Sequence, residues 1–522
     1  MKIRDAFPMA TVACLMFAAN AVAGVAVDTM FSDHMVLQRE QAVPIWGTAD
    51  AGAKVTVTFR GQSKETTAGQ DGKWMVKLDS LKVGEAADLT VVADTTITFK
   101  DVLVGEVWVG SGQSNMAGGV GGYARRDAVL KTISEGGPYS NLRLYDQRAR
   151  KWAIADKATI QRFSAIHFSF GYALQQELKV PVGLMYYAVG GRPSGLFITP
   201  DMVKSDPAVM ALMAKAGASF ESMEEKRLGL EEEKKKANEA YKMAVEKAKA
   251  DGEDPKKIKA PGRIRGAIVI GGLYKGIASF VPYGIRGVLW DQGESKTQVA
   301  GVDQYTLMNA LINGWRKEWD QGDFWFLHVQ KPSGGCAPWD AANPVHAGAT
   351  SFDDNVPASH STASSAFNYP LEHIKMGTLK NAPLVTAVDL GTGIHPSCKS
   401  GYGKRASIVA LGTAYGRDIP VCGPVYTSHT AEGETVRVSF EHVGSGLAFK
   451  HADTIRGFEI AGSDGKWEWA NATIDGATIV LSHENVTAPT MVQYAFHKNK
   501  NFANLYNKEG WPALMFTTAT GK

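Results

Sequence analysis

The sequence predicts an α/β protein in which a doubly wound parallel sheet is flanked at both ends by β-sandwich-like segments. Three observations carry that expectation. The chain has 522 residues, more than one compact core accommodates, so two or three domains are expected. Both ends are patterned like β-structure. Between them, short apolar runs alternate with stretches of helical periodicity.

Composition narrows the functional classes before any motif is read. The chain is 44% hydrophobic and 21% charged, ordinary for a globular protein and unlike a disordered one. Its formal charge of +3 is small, and no basic tract is interleaved with aromatics, so nucleic acid is not an expected partner. Oligomeric state is not legible.

Positions 1–23 read as a signal peptide, which predicts a secreted or periplasmic protein. Lys2 and Arg4 open it, Met9 to Ala19 is apolar, and Ala21-Val22-Ala23 is a small-x-small cleavage site. The apolar stretch is too short to cross a bilayer and no other run reaches ~18 apolar residues, so no membrane span is expected. Cleavage would remove Cys14 and leave Cys336, Cys398 and Cys422. Three cysteines allow one internal disulfide at most, and their spacings match no zinc site.

Residues 24–101 read as an amino-terminal β domain. Lys54-Val-Thr-Val-Thr-Phe-Arg60 and Leu89-Thr-Val-Val-Ala93 are strand-like, separated by turn signals at Asp50-Ala-Gly52 and Gln70-Asp-Gly72. Residues 102–419 carry the alternation. Buried strands are expected at Val102–Val109, Val182–Val189, Ile285–Trp290, Phe324–Val329 and Leu384–Leu390. Helices are expected at Phe163–Leu178, Tyr305–Trp319 and Ser407–Tyr415. A charged helical insertion at about 202–265 interrupts this region, with Glu221 to Ala250 dense in Glu, Lys and Ala. From 420 to 522 β character returns, for example in Thr435-Val-Arg-Val-Ser-Phe440 and Thr478-Ile-Val-Leu-Ser482.

In open α/β sheets, ligands bind beyond the carboxyl ends of the strands, so the residues after each run are the candidate site. The first run ends in Gly110-Ser-Gly-Gln-Ser-Asn-Met116. Ser114 there is either an exposed nucleophile awaiting a base or a cap on the next helix. Met116 rules out the Gly-x-Ser-x-Gly elbow. The second run ends in Val189-Gly190-Gly191-Arg192, whose glycines either let backbone N–H groups approach an oxyanion or simply make a tight turn. The third ends in Trp290-Asp-Gln-Gly-Glu-Ser295, where Gln292 is a candidate oxyanion donor. Glu294 there either orients a neighbour or joins a structural network. The last ends in Asp389-Leu-Gly-Thr-Gly-Ile-His-Pro396. Its strand-end position separates His395 from the other histidines as a candidate base, whereas His167 and His328 read as packed side chains. No His-Glu-x-x-His, calcium loop or phosphate-cradling loop appears, so neither metal nor nucleotide is implied and no cofactor is expected.

Taken together these motifs resemble the sialate O-acetylesterase family, a branch of the SGNH-type hydrolases. The resemblance rests on Gly112-Gln-Ser-Asn-Met116, Gly287-Val-Leu-Trp-Asp-Gln-Gly-Glu-Ser295, and Ile394-His-Pro396 with Lys399 following. Met35-Val-Leu-Gln38 and Pro44-Ile-Trp-Gly47 extend it to the amino-terminal segment. Gly457-Phe-Glu-Ile-Ala-Gly462 and Asn504-Leu-Tyr-Asn507 extend it to the carboxyl-terminal one. It implies an SGNH core, Ser114 as nucleophile and His395 as base. The backbone of Ser114, Gly190 and the side chain of Gln292 would form the oxyanion site.

Three positions depart from the family pattern. Thr392 stands where SGNH hydrolases commonly place the catalytic Asp, which leaves Asp389 as the candidate acid. Arg192 follows the glycine pair where relatives have Thr, and Asp291 stands where an aromatic residue is usual. Arg192, Asp291 and Glu294 are therefore candidate substrate-binding residues. The implied function is removal of O-acetyl groups from carbohydrate, with an acetylated glycan as partner. Plant cell-wall polysaccharide such as xyloglucan or xylan is an alternative substrate. A non-catalytic carbohydrate-binding protein is the rival from another class, and a lipase-like esterase lacks an apolar lid to support it.

Overall fold

Strand patterning with a period of two sends successive side chains to opposite faces of a sheet, and here that decides which helices cover which face. The computed structural model describes residues 24–262, 269–331, 352–360, 365–391, 393–497 and 500–519. The expected signal peptide, the last residues of the expected insertion, Cys336 and Thr392 lie outside the described residues.

The central sheet contains β1 (Thr96–Gly112), β2 (Tyr139–Asp146), β3 (Lys151–Ala155), β4 (Val182–Ala188), β5 (Gly287–Asp291), β6 (Trp325–Val329) and β7 (Leu384–Val385). Their order is β3-β2-β4-β1-β5-β6-β7. Every neighbouring pair from β2 to β7 is parallel and β3 is antiparallel to β2, so the sheet is mixed. Val107 and Val109 of β1, Val288 and Trp290 of β5 and Phe326 of β6 face a core that includes Leu307, Leu311 and Trp315 of the helix Gln304–Trp319. Trp108, Leu289 and Leu327 face the other way, into a core with Phe168 and Phe170 of the helix Ala165–Leu178 and Tyr402 and Val409 of the helix Lys399–Thr413. Each such large side chain contributes about 1.5–3 kcal/mol on burial.

Two elements depart from expectation for physical reasons. The last helix begins at Lys399, eight residues before Ser407, although glycines and charges fill its first turns. Gly403 is required there by close helix packing: a Cβ would lie 2.5 Å from the backbone nitrogen of Phe170. The expected strand Leu384–Leu390 is a ladder only at Leu384–Val385: beyond it the Thr386 carbonyl accepts from Arg405 and the chain turns, with the Leu390 N–H donating to the Ala387 carbonyl. His167 and His328 are both buried, and burial pulls both imidazoles down to about 4.

β1 runs unbroken through the boundary expected at 101/102, bending at Asp101 with φ of 55°. Its first half pairs with Ala87–Val92 and Leu103–Gly105 pairs with Val36–Gln38. One hydrophobic core accordingly extends from Val25 to Ala382. At the carboxyl end two four-stranded antiparallel sheets share a separate core. Val436, Val438, Ile479 and Leu481 of one meet Phe458, Ile460, Val492 and Tyr494 of the other. The insertion contains one 31-residue helix, Phe220–Ala250, opened by a Ser219–Ser222 capping box. Ala248 is its buried residue, and Leu228 and Met243 are exposed. Among the described residues no helix is long and apolar enough to cross a membrane.

Candidate active site

The turn carrying Ser114 is built by a glycine that nothing else can replace without strain. Gly112 ends β1 with φ of 132°, and a Cβ there would lie 2.1 Å from the carbonyl oxygen of Asp291. The next residue, Gln113, donates its N–H to that same carbonyl at 2.8 Å, and its side-chain oxygen accepts from the Ser295 N–H at 3.3 Å. A helical turn, Ser114–Ala117, follows. Ser114 does not cap it: Gln113 holds the cap position and no side chain caps the turn. Instead Ser114 Oγ lies 2.8 Å from His395 Nε2. With the imidazole proton on Nδ1, Nε2 accepts the hydroxyl hydrogen.

As the first residue of a helical turn, Ser114 carries a backbone N–H with no intrahelical partner. Gly190 lines the same space, since a Cβ on it would sit 3.6 Å from the Ser114 Cβ. A serine hydroxyl and an imidazole thus meet at the carboxyl end of β1, with the Gly190 backbone beyond β4 close to Ser114. That set can remove a proton from an oxygen nucleophile and receive a developing negative charge.

Several expected contacts are replaced by others. Asp389 does not reach His395. It is fully buried and both its oxygens are bound by the Arg405 guanidinium, through Nη1 and, at 2.8 Å, Nη2. Desolvation makes an unpaired carboxylate there untenable, and the arginine fork satisfies it. Among the described residues His395 has no carboxylate partner. Gln292 is not aimed at an oxyanion: its Nε2 donates to the carbonyls of Lys296 (3.0 Å) and Arg192 (3.4 Å), and its Oε1 accepts from Gln304 (3.0 Å). It ties two strand-end loops together. Asp291 cannot touch substrate, being buried in an ion pair with Lys331 at 2.7 Å. Glu294 belongs to the same cluster, accepting from Lys331 and Asn115, each at 3.1 Å. Arg192 is exposed beside the glycine pair, and its guanidinium makes no ion pair among the described residues.

Sequence reasoning missed the cations and amides beneath the site: Asn115, Lys331, Lys399 and Arg405. Asn115 and Lys399 did lie inside the recognised motifs, which was the available signal. Burial raises the Asp291 carboxyl above its ordinary range, partly countered by Lys331. Burial lowers Lys331, but Asp291 and Glu294 more than offset it. Lys399 is pulled down to about 7 by burial. Tyr369 donates its hydroxyl to the Gly293 carbonyl, and Gly293 leaves no room for a Cβ beside Lys331.

The site and sheet define a serine–histidine pair on an α/β scaffold, and comparison with known proteins narrows this further. The chain is 32% identical to the sialate O-acetylesterase of Rattus norvegicus over 192 residues, 31% of this chain and 35% of that one. It is 25% identical to the sialate O-acetylesterase of Mus musculus over 322 residues, 56% of each. The match thus spans about a third to a half of the length of these curated relatives. A solved carbohydrate acetylesterase from Xanthomonas citri superposes with a TM-score of 0.71 at 23% identity, covering 95% of this chain and all of that one. The latter likeness is one of fold. No protein-family model matches the chain. In sequence the chain is sialate O-acetylesterase-like.

Proposed function

We propose that the protein is a secreted or periplasmic carbohydrate O-acetylesterase, acting through an acetyl-enzyme on a doubly wound SGNH-type core. The observation that carries the reading is the 2.8 Å approach of Ser114 Oγ to His395 Nε2 at the strand ends. The names of the relatives support the substrate class.

In the first half-reaction Ser114 Oγ attacks the acetyl carbonyl carbon while His395 Nε2 takes the hydroxyl proton. The carbonyl electrons move onto oxygen, held by the N–H groups of Ser114 and Gly190. Collapse breaks the bond to the sugar oxygen, which leaves with the proton from His395. Water then attacks the acetyl group with His395 as base, and acetate departs as Ser114 regains its proton. With Asp389 engaged by Arg405, the mechanism is written as a Ser–His dyad.

Acetate release from acetylated sialic acids, acetylated xylan and xyloglucan oligosaccharides tests the reading and ranks the substrates. Release from none of them would leave the non-catalytic carbohydrate-binding alternative. Arg192 sharpens the same assay. Its exposed guanidinium is suited to a sugar carboxylate, so Arg192→Ala should raise KM for sialic acid esters about tenfold and spare neutral esters. Equal losses on both would remove charge recognition from its role.

A further inference from the structure

Resting on the esterase reading, we propose that Asn115 is the positioning residue of the Ser114–His395 pair. It is the next residue after the nucleophile and is fully buried. Its Nδ2 donates to the carbonyl of Ile394, the residue just before His395, at 3.1 Å. The same nitrogen donates to Glu294 Oε1 at 3.1 Å. Its Oδ1 accepts from Lys399 Nζ at 2.5 Å. One amide therefore joins the nucleophile turn, the loop beyond β5, the histidine loop and the helix that follows that loop.

The donors and acceptors around this amide dictate its orientation. Lys399 offers hydrogens, whereas Glu294 and the Ile394 carbonyl offer lone pairs. A flipped amide would set NH₂ against the lysine amine and oxygen against two acceptors, losing all three bonds. Asp at this position would put a carboxylate against Glu294 and a carbonyl. Asn satisfies all three partners.

The histidine loop needs such a tether. Gly391 and Gly393 have φ of 116° and 75°, and Gly393, Ile394 and His395 are all exposed, Ile394 at 64%. Packing therefore does not fix the imidazole, and Asp389 does not hold it. The bond from Asn115 to the Ile394 carbonyl anchors the loop one residue from the base, from a point one residue from the nucleophile. A displacement of about 1 Å between reacting groups costs on the order of 10²-fold in rate.

Two readouts test this. Asn115→Ala should lower kcat roughly 10²-fold with KM changed less than about threefold. Amide hydrogen exchange in residues 391–397 should quicken while the strands of the central sheet keep their protection. Lys399→Met, which removes the group that orients the amide, should give a smaller loss of about tenfold, and adding it to Asn115→Ala should cost little more. Wild-type kcat and unchanged loop exchange in folded Asn115→Ala would overturn the proposal. If Asn115→Ala does not fold, Lys399→Met with wild-type kcat and loop exchange would overturn it. A wild-type enzyme inactive on every acetyl ester would instead sink the esterase reading, and the exchange comparison would still decide the tether.

Discussion

The turn carrying Ser114 and the loop carrying His395 end at the same point but are held in opposite ways. The Ser114 turn is wedged: Gly112 lies against the Asp291 backbone, and Gln113, Asn115 and Met116 are all buried. The loop carrying His395 is open, with Gly393, Ile394 and His395 exposed ahead of a largely buried helix. Steric fit places the serine, whereas hydrogen bonding places the histidine. Two acidic residues beside these loops, Asp291 and Asp389, are committed to Lys331 and Arg405 and brace the scaffold beneath.

The largest expected effect tests whether the two loops make one catalytic unit. Ser114→Ala and His395→Ala should each lower kcat on the order of 10⁴-fold or more, with unchanged melting temperature. The double variant should be little worse than either, and multiplicative losses would mean that the two residues act separately.

Asp389 comes next, because it separates bracing from catalysis. Leaving Arg405 buried without its anion should make Asp389→Asn less stable by about 3–5 kcal/mol in urea unfolding. The kcat of the folded fraction should stay within about tenfold of wild type, against the roughly 10⁴-fold loss typical of a triad acid. A stable variant with the larger kinetic loss would return Asp389 to the triad.

The smallest effect concerns charge under the site. Lys399 sits at about 7 in the folded protein against an ordinary 10.5. Between those values the unfolded chain holds a proton that the folded one lacks, so stability rises with pH across that window. Below about 7 the burial of the charge weighs in full. Lys399→Met should flatten the pH dependence of unfolding between about 7 and 10.5. An unchanged slope would assign the proton elsewhere.

Which parts of this were legible in the sequence follows from what periodicity encodes. Alternating apolar runs locate strands and their ends, and strand ends are where Ser114 and Gly190 lie, whereas His395 follows β7 by a longer stretch of irregular chain. Partner choice is not periodic. Arg405 sits 16 residues beyond Asp389, within a helix, and Lys331 follows a different strand from Asp291. Only the folded chain shows that these cations take the carboxylates. Gln292 was misread for the same reason, since its donors go to loop carbonyls whose approach no local pattern records. The amino-terminal boundary was obscured because β1 serves two sheet regions at once.

The account's central claim is covalent catalysis at Ser114. Its most direct test is rapid mixing with an activated acetyl ester, acid quench and mass analysis of the digested protein. The account predicts a burst of leaving group, an acetyl adduct on the peptide containing Ser114, and loss of both in Ser114→Ala. A burst that persists in Ser114→Ala, or an adduct on another peptide, would contradict it.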